Sequence, residues 1–163
     1  MLPKKVEAGF NQQIKNEFDS AYLYLSAAAY FMAENLEGMA HWMKVQYGEE
    51  VKHAMKFYDE IHDRSGRVEL LALAKPKAQW KSPMEVWKDA YKHEQFITGK
   101  INDLVALARK EGDNAALEFL QWFVNEQVEE EQQVLKIVQT LERVGEGGIA
   151  VTMLDRELGQ RKE

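Results

Sequence analysis

Three prolines, at positions 3, 76 and 83, are the only ones in a chain of 163 residues. Proline inside a helix removes a backbone hydrogen bond and clashes with the preceding turn, so their scarcity leaves long stretches free to coil. Apolar residues fill those stretches at spacings that alternate between three and four, the signature of a helix with one buried face. Phe10, Ile14, Ala21, Tyr24, Ala28 and Phe31 share the first stripe, and Met39, Met43 and Phe57, with Ile61 slightly off, the second. Trp87, Ala90, Ile97, Ile101 and Leu104 make the third, and Leu120, Phe123, Val134, Ile137 and Leu141 the fourth. No period-2 alternation supports a strand, although Val68 to Leu73 has the composition to run locally extended.

Turn chemistry separates the stripes at Asn35-Leu-Glu-Gly38, from Ser65-Gly66 through Pro76 to Ser82-Pro83, at Glu111-Gly-Asp-Asn114 and at Gly145-Glu-Gly-Gly148. Ser82 is a natural N-cap and Pro83 a natural first helical residue. The breaks predict helices over about 5–34, 37–64, 83–110 and 114–143, with a short fifth over about 149–158. The first four are far longer than the usual mean of about 11–12 residues. Their connections run short, long, short. That order describes an all-α four-helix bundle with one long crossover between helices 2 and 3, in a single domain over residues 1–163.

The composition removes whole classes of chemistry. With no cysteine there is no disulfide, thiolate zinc site, iron–sulfur cluster or thiol nucleophile. A formal net charge of −6 argues against nucleic acid as a partner, since such binders draw affinity from Lys and Arg on phosphates. The longest uncharged run, residues 20–33, is shorter than the roughly 20 residues a membrane span requires. The first ten residues lack the apolar core of a secretory signal. A cytoplasmic protein with no membrane partner is expected.

Each apolar stripe is broken by polar residues at matched points. Counting in threes and fours puts Glu17 on the buried face of helix 1, Gln46, Glu50 and His53 on that of helix 2, Glu94 on helix 3, and Gln127 and Glu130 on helix 4. A carboxylate facing a core is costly unless it is paired or holds a metal. All of these positions fall near mid-helix, which in an antiparallel bundle is one level, so the four breaks converge. The spacing repeats as well: 33 residues separate Glu17 from Glu50, and 33 separate Glu94 from Gln127. Each half of the chain supplies one lone acid and one i, i+3 pair, Glu50-x-x-His53 and Gln127-x-x-Glu130, whose members share a helix face.

Glu-x-x-His alone is a common tetrapeptide, and Asp59-x-x-His62 has a similar form off the stripe. Of four histidines, only His53 faces inward, one turn from an inward glutamate. Glu17, Glu50, Glu94 and Glu130 together carry −4, which two divalent ions neutralise. Zinc favours tetrahedra of His and Cys, and calcium favours all-oxygen loops. A mixed set of carboxylates and one imidazole in a bundle core suits iron or manganese.

In these features the chain resembles a non-haem prokaryotic ferritin. The resemblance covers nearly the whole sequence, through NEFDSAYLYLSAAAYF, GEEVKHAMKFYD, HEQF, FLQWFVNEQVEEE and the short terminal helix. It implies a ferroxidase that binds two Fe(II), oxidises them with O2 or H2O2 and stores Fe(III) as mineral inside a hollow homo-oligomer of 24 subunits. It further implies that Glu17 and His53 hold one iron, that Glu50 bridges, and that Glu94 and Glu130 hold the second. Gln127 would hydrogen-bond within the pocket and Tyr24 would stand beside the centre. Glu49, Glu126 and Glu129 would contribute a third iron position; without the resemblance they read equally as a solvated acidic face. Two to three irons per chain are therefore expected.

Related families are set apart by single residues. Bacterioferritins carry a second Glu-x-x-His in helix 4, where this chain has Gln127-x-x-Glu130, and a haem-ligating methionine where it has Val51, so no haem is expected. Rubrerythrins need cysteines that are absent here. Trp80 and Trp87 are expected among exposed aromatics at subunit interfaces, and Asp113 and Glu118 as candidates for an entry channel. Two other functions fit the polar stripe: a di-iron oxygenase or peroxidase acting on a small substrate, and a non-catalytic bundle whose buried polar groups only specify packing.

Overall fold

The computed structural model describes residues 1–145 and 147–162; Glu146, within the last expected break, lies outside the described residues. Four long helices, α1 (Lys4–Ala33), α2 (Glu37–Asp63), α3 (Pro83–Lys110) and α4 (Asn114–Val144), precede a short α5 (Gly148–Leu158). α1 packs along α2 and α3 along α4, α1 also meets α3, and α5 rests against α2. No strand forms among the described residues, and Val68 to Leu73 has no regular structure. None of the helices is long and apolar enough to cross a membrane.

The helix ends follow from local chemistry. α1, α2 and α3 finish in the same way, with a left-handed residue just past the helix: Asn35 (φ 58°), Ser65 (φ 55°) and Gly112 (φ 67°). In each case the next amide reaches back to a carbonyl of the last turn, as Leu36 N donates to Phe31 O (2.9 Å), Gly66 N to Ile61 O (2.8 Å) and Asp113 N to Ala108 O (2.9 Å). Asn35, rather than Gly38, therefore supplies the first turn. Gly38 already belongs to α2, and it is needed for close approach: a Cβ there would stand 1.7 Å from Asp155 O of α5.

Ser82 and Asp113 cap α3 and α4, accepting from Glu85 N (3.3 Å) and Ala116 N (3.0 Å). Along the crossover, residues 64–82, Asn11 of α1 donates to Arg67 O (3.0 Å) and accepts from Glu69 N (2.8 Å). Trp80 anchors its far end by donating to Asp89 (2.9 Å). The expectation that Trp80 and Trp87 are exposed is corrected: both are buried, and Trp87 stacks edge-on against Trp42 at 4.9 Å. Exposed apolar side chains lie elsewhere, at Tyr22 and Leu25 on α1, Leu70, Leu71 and Leu73 on the crossover, and Ile149 and Met153 on α5.

The apolar core is divided. One cluster surrounds Phe31, Met39, Met43, Trp87 and Leu141, and another surrounds Phe10, Phe57, Ile61, Ile101 and Phe123. A layer of buried polar side chains contributed by all four long helices separates them.

Candidate metal centre

Glu17 from α1, Glu50 and His53 from α2, Glu94 from α3, and Gln127 and Glu130 from α4 make up that layer, none more than 4% exposed. Their carboxylate and imidazole atoms fall into three clusters with every ligand atom within 4.8 Å of the others: Glu17–Glu50–His53, Glu50–Glu94–Glu130 and His53–Glu126–Glu130. Glu50 belongs to both of the fully buried clusters, so its two oxygens can join a pair of cations. His53 Nδ1 faces this inner pair, 3.5 Å from Glu50 Oε2 and 3.9 Å from Glu17 Oε2, while Nε2 faces outward, 3.9 Å from Glu126 Oε1.

Neighbouring amides hold the acids in place. Gln13 Nε2 donates to Glu17 Oε1 (2.7 Å), and Gln46 Nε2 donates both to Glu50 Oε1 (2.8 Å) and, across the bundle, to Glu130 Oε2 (2.7 Å). Gln127 Nε2 donates to Glu94 Oε2 (3.2 Å) and to Thr98 Oγ1 (3.3 Å), whose own hydroxyl donates to Glu131 (2.6 Å). Tyr24 Oη donates to Glu94 Oε1. Sequence reasoning placed Gln46 on the stripe without a role and missed Gln13 and Thr98. The signal was present, since Gln13–Glu17 and Gln46–Glu50 are both i, i+4 amide–carboxylate pairs.

The electrostatics are those of buried carboxyls crowded together. Burial, then the charge of Glu50, holds the Glu17 carboxyl well above the usual carboxylate range. The same two causes push Glu94 up to about 8 against the opposing hydrogen bonds of Tyr24 and Gln127. Glu130 is raised well above its ordinary value by burial and then by Glu94 and Glu50, and Tyr24 is raised chiefly by burial, then by Glu94. Glu17 Oε2 and Gln46 Oε1 are buried without a hydrogen-bond partner. Orphaned acceptors of this kind are what a cation would satisfy. Oxygen donors with one imidazole and no sulfur fit iron well.

Other expected residues stand differently. Glu126 joins a cluster, but Glu49 and Glu129 belong to none of the three. Asp113 is buried, capping α4 and accepting from Arg64 Nη2 (2.9 Å), so it is not a free channel acid, whereas Glu118 is exposed. His93 meets Ser20 Oγ at 2.6 Å, and burial lowers its pKa. An open groove of about 400 Å³ between α3 and α4 reaches inward to Thr98, Gln127 and Glu131.

A four-helix bundle with a core belt of glutamates and one Glu-x-x-His defines a class, and the sequence profile of the ferritin-like domain matches residues 7–144. The chain belongs to the ferritin family, in its non-haem prokaryotic branch. It is 36% identical over 161 residues to the bacterial non-heme ferritin of Staphylococcus aureus strain USA300, covering 99% of this chain and 97% of that one. To the bacterial non-heme ferritin of Bacteroides fragilis strain 638R it is 38% identical over 161 residues, covering 99% and 100%. Among solved structures, the open pore ferritin of Archaeoglobus fulgidus superposes with a TM-score of 0.98 at 44% identity, covering 99% of this chain and all of the other.

Proposed function

We propose that the protein stores iron and acts as a ferroxidase, with Fe(II) and O2 or H2O2 as substrates and Fe(III) mineral as the stored product. The observation that carries this reading is the membership of Glu50 in both buried clusters at mid-bundle. Two Fe(II) bound there face Glu17, Glu50, His53, Glu94 and Glu130, and the four carboxylates carry the −4 that two divalent ions cancel.

The carboxylates favour the more highly charged Fe(III), which lowers the potential of the bound pair and makes electron transfer to an oxidant downhill. With dioxygen the balance is 2 Fe(II) + O2 + 2 H⁺ giving 2 Fe(III) + H2O2, one electron leaving each iron. Before iron binds, the raised carboxyls of Glu17, Glu94 and Glu130 hold protons in the pocket, and cation entry displaces them. Tyr24 and Gln127, each donating to one oxygen of Glu94, keep that carboxylate aimed while its proton leaves. Gln46 holds Glu50 and Glu130 at their spacing.

Storage needs an enclosure. Family membership and the exposed apolar residues of α1, the crossover and α5 support a homo-oligomeric cage, of 24 subunits by analogy with the family, with those faces covered. Anaerobic Fe(II) titration followed by an O2 pulse tests the reading. Two tight Fe(II) per chain, one O2 consumed per two irons, and continued loading beyond the centre are expected; no tight Fe(II) binding would end it.

A further inference from the structure

A glutamine side chain can present either its N–H groups or its carbonyl to a neighbour, because the two ends of the amide have nearly the same shape. Gln127 turns Nε2 toward α3, where it donates to Glu94 Oε2 (3.2 Å) and lies 3.3 Å from Glu94 O. Both carboxylate oxygens of Glu94 are therefore met by donors, Oε1 by Tyr24 and Oε2 by Gln127. Yet Gln127 also lines the open groove between α3 and α4, which leaves its side chain room to swing away or to turn its carbonyl inward.

Thr98 removes that freedom. It stands one helical turn beyond Glu94 on α3, and its Oγ1 is 3.3 Å from Gln127 Nε2. A hydroxyl has a single hydrogen, and Thr98 gives it to Glu131 Oε1 (2.6 Å), a carboxylate that only accepts. Toward Gln127, the Thr98 oxygen is then an acceptor and nothing else. An amide turned the other way would set its carbonyl oxygen against the lone pairs of Thr98 and of the Glu94 backbone. Glu131 is in turn one turn beyond Gln127 on α4. Two i, i+4 pairs on facing helices thus close a ring of hydrogen bonds that fixes one orientation of the amide.

We propose that Thr98, with its hydrogen committed to Glu131, is a positioning residue that locks the Gln127 amide with N–H toward Glu94 and so aims Glu94 at one of the two ions. The inference rests on the two-ion reading of the buried clusters. Thr98 acts through Gln127 alone, so its effect falls on the Glu50–Glu94–Glu130 position and spares the Glu17–Glu50–His53 position. The hydroxyl, rather than the bulk of the side chain, carries the effect, because only an oxygen that has given its hydrogen away discriminates between the two ends of the amide.

Anaerobic calorimetric titration of the assembled protein with Fe(II) tests this. The parent is expected to bind two tight equivalents. Thr98→Val, which keeps the shape and the net charge but loses the hydroxyl, should hold one equivalent at the parental affinity and weaken the other by about tenfold. Thr98→Ser, which restores the hydroxyl on a smaller side chain, should recover the parental titration. Gln127→Leu should weaken the same equivalent as Thr98→Val, and combining the two should add no further loss. Equal weakening of both ions in Thr98→Val, or of neither, would overturn the proposal. So would a Thr98→Ser variant as weak as Thr98→Val, or a double variant in which the two losses add. A parent with no tight equivalents would instead remove the two-ion reading on which the proposal depends.

Discussion

Tyr24 on α1 donates its phenolic hydrogen bond to Glu94 on α3, joining two helices at the level where the buried carboxylates meet. The bond favours the ionised form of an acid that burial pushes the other way. Tyr24→Phe removes that support and makes protons stronger competitors for Glu94. Two-ion affinity is expected to fall by about tenfold near pH 6 and by less near pH 9, where Glu94 is ionised regardless. Calorimetric titration of parent and variant at the two pH values measures the difference.

Metal-free protein should lose stability as pH rises. A carboxyl whose folded pKa lies above its unfolded one contributes stability that is complete below the unfolded value of 4.5 and lost as pH climbs through the folded value, about 8 for Glu94. Glu17 and Glu130 act in the same direction. The melting temperature of the metal-free protein should therefore drop between about pH 5 and about pH 9, and Glu94→Gln should flatten the slope. A melting temperature that rose over this interval would contradict the assignment of protons to these carboxyls in the metal-free protein.

Substitution of single glutamates should separate the two ions. Glu50 belongs to both inner clusters, Glu17 to one. Glu50→Ala is expected to abolish tight binding of both irons, whereas Glu17→Ala should leave one. Glu130→Ala, which breaks up the second cluster, should slow rapid oxidation. Removing one of these crowded, buried carboxyls should leave the metal-free bundle about as stable as the parent or up to about 1–3 kcal/mol more stable above pH 8, where the pocket is forced to ionise. Chemical denaturation, read beside metal stoichiometry, checks both halves of the expectation.

Gly38→Ala should detach α5. The new methyl group would collide with backbone atoms of Asp155, and a backbone carbonyl has no rotamer with which to move aside. A loss of about 1–3 kcal/mol is expected, concentrated in residues 148–158. Amide exchange resolved along the chain would show α5 opening while α1–α4 keep their protection.

The bundle and the inner acids were legible because both depend on periodicity. Glu17, Glu50, His53, Glu94, Gln127 and Glu130 fall on apolar stripes, and each is buried in the fold. Features set by tertiary approach were not legible. Trp80 and Trp87 resemble surface aromatics until the fold sets Tyr30 of α1 against Trp80, and Phe31 of α1 and Trp42 of α2 against Trp87. Gly38 looks like a turn residue, but its contact lies 117 positions away, at Asp155. The ion pair between Glu49 and Arg161 was equally hidden, since no helical count relates position 49 to position 161.

The division of the apolar core into two clusters has a mechanical consequence. Between them lies a plane where all four long helices present buried polar side chains, joined across the bundle by hydrogen bonds such as Gln46 to Glu130 and Tyr24 to Glu94. A divalent ion seated in that plane would tie carboxylates of different helices together and add a crosslink to those hydrogen bonds. The stiffness of each subunit would then rise and fall with its cargo, bracing and slackening the waist of the fold as metal enters and leaves.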